Sequence, residues 1–322
     1  MRRVVSSALA FLAFGLLPLT TYASSVSVLT TIKPISLIAK DIVGDHADVK
    51  QLLPNGASPH NYALKPSDLR SIDQADLLIW VGPEMELFLQ KIASRHDKAL
   101  QLTAIEGFPL RYYGEQENHE DHDHDHDHDH DHDHDSHDHD GEHSSHHHNH
   151  TGIDGHIWLG PQQGITIAKA ITERMVNIDA DNADYYRKNL DRFINGVHQT
   201  TQKIKTELSA YNEQGYFVFH DAYGYFEEAF GLKQSGHFTV DPDRKPGART
   251  LVTIREALVK NKARCVFTEP QFNDSFIQSV SKHTKAKIVT LDPLATNISK
   301  DDGRYQAFLS ALGGKFVECF DQ

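Results

Sequence analysis

Apolar and polar positions follow two periods along this chain, and they alternate in blocks. Val26 to Thr31, rich in β-branched residues, predicts a strand, and Lys33-Pro34 then leads into a helix over 35–43 ending at Gly44. A second strand over 47–53 stops at Pro54-Asn55-Gly56, and Pro66-Ser67-Asp68 opens a helix over 66–74. Ala75 to Val81, unbroken apolar from Leu77 onward, reads as a parallel strand covered on both faces. A helix over 84–95 and short strands near 99–102 and 110–113 follow. Later, Ile157-Trp158-Leu159 reads as a strand start, and Gly160-Pro161 opens a helix to about 176.

Between 181 and 210 the period changes to that of one long helix. Leu190, Phe193, Val197, Ile204 and Leu208 recur at helical spacings, with no proline and one glycine, Gly196. At 1.5 Å per residue it would span roughly 40 Å, longer than a small lobe needs, which points to a rigid connector; two helices broken at Gly196 are the alternative. The alternation then resumes. Strands are expected at 216–219, 264–268 and 287–291, and helices at 223–230, 250–261, 273–284 and 305–312. The pattern predicts an α/β protein of two lobes, each a mostly parallel sheet flanked by helices, joined by the long helix. The lobes are expected at 24–180 and 211–322. Ligand sites in such folds lie at the carboxyl ends of strands and between lobes.

Two segments stand outside this pattern. Arg2-Arg3, an apolar stretch from Val4 to Leu19 and the small-residue site Thr21-Tyr22-Ala23 read as an export signal over residues 1–23. The apolar run is short and interrupted for a membrane anchor, so a periplasmic location is expected. Residues 119–150, inside a predicted disordered loop at 115–152, hold 15 of the 23 histidines with ten aspartates and two glutamates. With no apolar side chain the tract cannot offset the entropy of ordering, and its imidazoles have affinity for divalent metals. Its 12 acids, with no base, account for nearly all of the net charge of −13. The remaining body is near neutral, which argues against nucleic acid as a partner.

Outside the tract, His60 follows a strand, His156 follows the tract directly, His220 ends the run Tyr216–Phe219, and Asp292 ends the run Lys287–Leu291. Strand-end positions converge on the cleft of an open α/β sheet, so these four can form one set of metal ligands. Taken singly, a strand-end histidine is more often a capping or core hydrogen-bonding group than a ligand, and Asp-Pro after a strand is usually a helix cap or turn. In an exported chain the only two cysteines, Cys265 and Cys319, read as one disulfide, with two buried thiols as the alternative.

The runs LPNGASPHNYALKPSDLRSIDQADLLIWVGPEME, HIWLGP, FHDAYGYFEEAFGL, FTEPQF and VTLDPL resemble the metal-binding family of solute-binding proteins that serve ABC importers. The resemblance covers essentially the whole mature chain, including the His-rich insertion. It implies a monomeric, non-enzymatic receptor that captures Zn²⁺ between its lobes and delivers it to a membrane permease with a separate ATPase. By resemblance, His60, His156 and His220 are the ligands, with Asp292 or a water as the fourth. Manganese-binding relatives carry a carboxylate at the position of His220, so an imidazole there favours zinc. Some zinc-binding relatives carry an acid before the first ligand, where this chain has Pro59. The resemblance also implies a weaker second site at His237 with tract histidines such as His146, His148 and His150, and it matches both cysteines to a disulfide.

Two other functions compete for the same residues. A zinc hydrolase needs an open coordination position and a general base, and the chain has no HExxH string. The third reading, a zinc buffer, would make the tract the working part. No GxxxxGK[ST] phosphate loop is present, so energy coupling lies in another subunit.

Overall fold

A computed structural model describes residues 26–113, 152–239, 242, 245–260, 263–273, 275–299 and 304–321. The expected export signal at 1–23 and the tract at 119–150, with His146, His148 and His150, lie outside the described residues. The first sheet contains β1 (Val26–Thr30), β2 (Ala47–Gln51), β3 (Leu77–Trp80) and β4 (Ala99–Gln101) in the order β2-β1-β3-β4, all parallel. The second contains β5 (Tyr216–His220), β6 (Gly236–Thr239), β7 (Cys265–Thr268) and β8 (Lys287–Thr290) in the order β6-β5-β7-β8, also parallel. The two lobes thus repeat one topology. In each, the strand order reverses beside the first strand, where carboxyl ends open a crevice.

The helices are α1 (Lys33–Val43), α2 (Pro66–Gln74), α3 (Gln90–Ala93), α4 (Pro161–Ile178), α5 (Ala183–Leu208), α6 (Gly224–Phe230), α7 (Ala248–Val259), α8 (Ser275–Ser281) and α9 (Tyr305–Phe320). The connector is α5, unbroken at Gly196, and it packs against α1 and α4 of the first lobe and α9 of the second. Tyr186, Phe193, Val197, Ile204 and Leu208 form its buried stripe, and buried Asn189 donates Nδ2–H to the Ile42 carbonyl at the end of α1 (2.8 Å). One apolar core therefore runs through both lobes around α5. A smaller one, including Phe217, Phe219, Ile254 and Ile277, fills the outer side of the second sheet.

The alternation of side chains along a strand decides where His220 points. Tyr216 and Val218 enter the shared core, whereas Phe217 and Phe219 enter the outer one. His220 has the parity of Tyr216 and Val218 and is the last residue of β5, so it emerges toward the interlobe side.

Several local expectations are corrected. The helix expected over 84–95 is a 3-10 turn at Leu87–Leu89 followed by the single turn α3. Gly82 holds φ +152°, and the Val81 N–H is taken by the Glu86 carboxylate (2.7 Å), so the chain turns there instead of coiling. Ile157–Leu159 is a 3-10 turn, and near 110–113 only an antiparallel bridge, Tyr112 to Ile153, forms. Strand β6 was not anticipated. Helix α9 continues past 312 to Phe320, because a side chain at Gly313 would sit 2.9 Å from Ile204 of α5. Close helix packing outweighs the roughly 1 kcal/mol cost of a glycine in a helix. Cys265 of β7 and Cys319 of α9 form a disulfide between Cα atoms 5.9 Å apart.

Candidate metal centre

Three imidazoles meet between the lobes. His60 comes from the loop after β2, where its N–H bonds the Ser58 hydroxyl (3.3 Å). His156 precedes the 3-10 turn that leads into α4, and His220 ends β5. Ring centroids are 5.4 Å apart for His60–His156, 5.7 Å for His60–His220 and 5.1 Å for His156–His220. Among the described residues they are the one group of at least three His, Cys, Asp or Glu whose donor atoms all lie within 4.8 Å of one another.

Each of the two inner histidines is oriented by a carboxylate. His156 Nδ1 lies 2.9 Å from Asp154 Oδ1, which also accepts the His156 backbone N–H (3.0 Å). His220 Nδ1 lies 2.6 Å from Glu269 Oε1, and the Tyr223 hydroxyl donates to the same oxygen (3.2 Å). A carboxylate selects the tautomer that carries hydrogen on Nδ1, leaving both Nε2 atoms as bare lone pairs. Those two Nε2 atoms face each other at 3.2 Å. Two lone pairs at that distance repel, and a cation between them converts the repulsion into coordination. Tetrahedral zinc with Zn–N bonds of about 2.0–2.1 Å places neighbouring nitrogens about 3.3–3.4 Å apart, close to the observed gap.

The surroundings of His60 favour its neutral form. Burial, and then the nearby charge of His156 and His220 when protonated, push the His60 imidazole well below its usual range. The neutral form is the one that binds metal. Asp154 is fully buried; burial pushes its carboxyl up, but the His156 hydrogen bonds and the Arg111 charge outweigh this and hold it below the usual range. Arg111 pairs with Asp154 (3.0 Å) and with Glu228 of α6 (3.1 Å). The Tyr113 hydroxyl lies 3.1 Å from both Asp154 Oδ1 and the Asp221 carbonyl, tying the two lobes beside His156. Pro59, Trp158, Phe272, Pro293 and Leu294 wall the remaining space, which admits about one water-sized centre (≈ 10 Å³).

Asp292 does not join the group. Its Oδ2 accepts from the Thr296 hydroxyl (2.6 Å) and Asn297 N–H (3.3 Å), and its Oδ1 accepts from Leu294 N–H and Gln271 Nε2 (both 3.2 Å). It folds the turn after β8. His237 lies on β6, part-exposed, with Nδ1 4.0 Å from Asp221; its expected partners His146, His148 and His150 lie outside the described residues. Sequence reading overlooked Asp154, Glu269, Arg111 and Tyr113. Glu269 follows β7 as His220 closes β5, and these neighbouring strands bring the two side by side. The strand-end criterion that selected His220 therefore applied equally to FTEPQF.

Fold and site together define a two-lobed solute-binding architecture whose cleft presents a three-imidazole metal-binding group. The chain belongs to the ZnuA family, described as zinc-uptake complex component A, periplasmic, whose profile matches residues 28–319. It is 41% identical over 308 residues to the high-affinity zinc uptake system protein ZnuA of Yersinia pestis, spanning 92% of each chain. The protein of the same name from Haemophilus ducreyi is 41% identical over 313 residues, 97% of this chain and 98% of its own. Among solved structures, a crystal structure of ZnuA superposes with a TM-score of 0.72 at 22% identity, covering 92% of this chain and 99% of that one, a likeness in fold.

Proposed function

We propose that the protein is a periplasmic zinc receptor that binds one Zn²⁺ through His60, His156 and His220 and delivers it to an ABC-type permease driven by a separate ATPase. The observation that carries this reading is the convergence of imidazoles from both lobes, two of them held at Nδ1 by Asp154 and Glu269 with their Nε2 atoms 3.2 Å apart. Three neutral nitrogen donors suit zinc, whereas manganese prefers an oxygen-rich set. Asp292, committed to its turn, is not among the proposed ligands.

The reading includes an export signal over 1–23, lobes at 24–180 and 211–322, and action as a monomer without nucleic acid or catalysis. Residues 119–150 serve as a low-affinity collector beside His156, with a weaker site at His237. Competition titration on the protein lacking 119–150 tests this. One tight zinc site, lost on replacing His60, His156 and His220 with alanine, is expected. Loss of tight binding on deleting the tract alone would make the tract the working part and sink the receptor reading.

A further inference from the structure

The connection between β8 and α9 leaves the second lobe and lies against the first. Asp292 folds it through the bonds described above, and buried Ala295 holds φ +54°. Left-handed backbone costs a non-glycine residue about 1–2 kcal/mol, so partners outside the turn must impose the shape. The Pro293 carbonyl accepts Trp158 Nε1–H (2.7 Å), the Thr296 carbonyl accepts Lys33 Nζ (3.1 Å) and Asn55 Nδ2 (3.0 Å), and the Ile298 carbonyl accepts Lys33 Nζ (2.5 Å). Every donor belongs to the first lobe. Lys33 opens α1, Asn55 stands five residues before His60, and Trp158 two residues after His156.

Lys33 is only 4% exposed. Burying an ammonium is costly unless its donors are satisfied, and two of its bonds go to carbonyls of the other lobe. The segment so held supplies Pro293 and Leu294, which wall the space beside the imidazoles. The lobes cannot separate around the metal without breaking these bonds.

We propose that Lys33 and Asn55 are positioning residues of the metal centre: they clasp the 293–298 segment to the first lobe, keep Pro293 and Leu294 over His60, His156 and His220, and govern how fast captured zinc leaves. The proposal rests on the zinc-receptor reading. A clasp that must break for zinc to leave slows release, and removing it leaves the three ligands and the capture of zinc intact, which a general loss of structure would not do.

The test loads the full chain with zinc and follows release into excess chelator by stopped flow, with capture rate and metal-free melting temperature measured alongside. Lys33→Met, which keeps the length of the side chain and removes its charge, should speed release about tenfold or more. That corresponds to about 1.4 kcal/mol, the low end for a hydrogen bond from a charged donor. Asn55→Ala, at an exposed position, should speed release a few-fold with the melting temperature unchanged, and it decides the matter alone if Lys33→Met does not fold. Release within twofold of wild type in the folded variants, or capture slowed as much as release is hastened, would overturn the clasp. A wild-type protein that retains no zinc would instead bring down the receptor reading itself.

Discussion

Replacing Glu269 tests whether the carboxylate behind His220 sets the zinc affinity. Its Oε1 lies 2.6 Å from His220 Nδ1 and 3.2 Å from the Tyr223 hydroxyl, with Glu269 only 3% exposed. Glu269→Ala removes the acceptor for both, so the His220 ring is free to rotate and to carry hydrogen on Nε2, where the metal needs a lone pair. Loss of such an orienting partner costs about 10–100-fold in metal affinity, or about 1.4–2.7 kcal/mol. The alanine variant should fall toward the upper end, because the Tyr223 hydroxyl also loses its partner. Glu269→Gln keeps a carbonyl oxygen for Nδ1–H and removes only the charge, so a loss below about tenfold is expected. Zinc affinity by competition with a chelating dye, read beside the metal-free melting temperature, separates ligand orientation from stability. If alanine binds zinc within twofold of wild type, His220 is held by packing alone and the tautomer argument is wrong.

Two other expectations concern stability. Gly313→Ala places a methyl 2.9 Å from Ile204, and overpacking of about 1–3 kcal/mol outweighs the helix-propensity gain. Gly314→Ala meets nothing within 4 Å and should stabilise by about 0.5–1 kcal/mol; denaturant midpoints that move in the same direction for both would refute the packing account of α9. Burial raises the Glu86 carboxyl from 4.5 to about 7, with the hydrogen bond from the Val81 N–H (2.7 Å) pulling the other way. A folded pKa above the unfolded one means its stabilising contribution is complete below about 4.5 and lost as pH rises through about 7, on the order of 3 kcal/mol by pH 8. Glu86→Gln should therefore melt higher than wild type at pH 8 but not at pH 5. A residual decline is expected from Glu227, which burial likewise raises to about 7. Identical pH profiles for the two proteins would show that Glu86 does not titrate in this range.

Local periodicity was enough to predict the architecture. The strands at 26–31, 75–81, 216–219 and 264–268 and the connector at 181–210 were legible because β-branched runs, an uninterrupted apolar stripe and Pro/Gly punctuation are short-range signals. His60, His156 and His220 were legible as candidates from their strand-end and loop-end positions and as ligands only through the family resemblance, and Cys265 and Cys319 as the sequence's one pair of cysteines. Long-range packing decided the rest. Gly313 belongs inside α9 only because Ile204 approaches it, and the turn at 82–86 replaces a helix only because the Glu86 carboxylate reaches the Val81 N–H. Asp292 had the same strand-end signature as Glu269, and nothing in the sequence separates them. Only the pairing of β5 with β7 sets Glu269 behind His220, while the path of the chain across the first lobe commits Asp292 to a turn. A sequence carries the kinds of donor a site can use; which donors share a metal depends on distances fixed only when the two lobes close on one core.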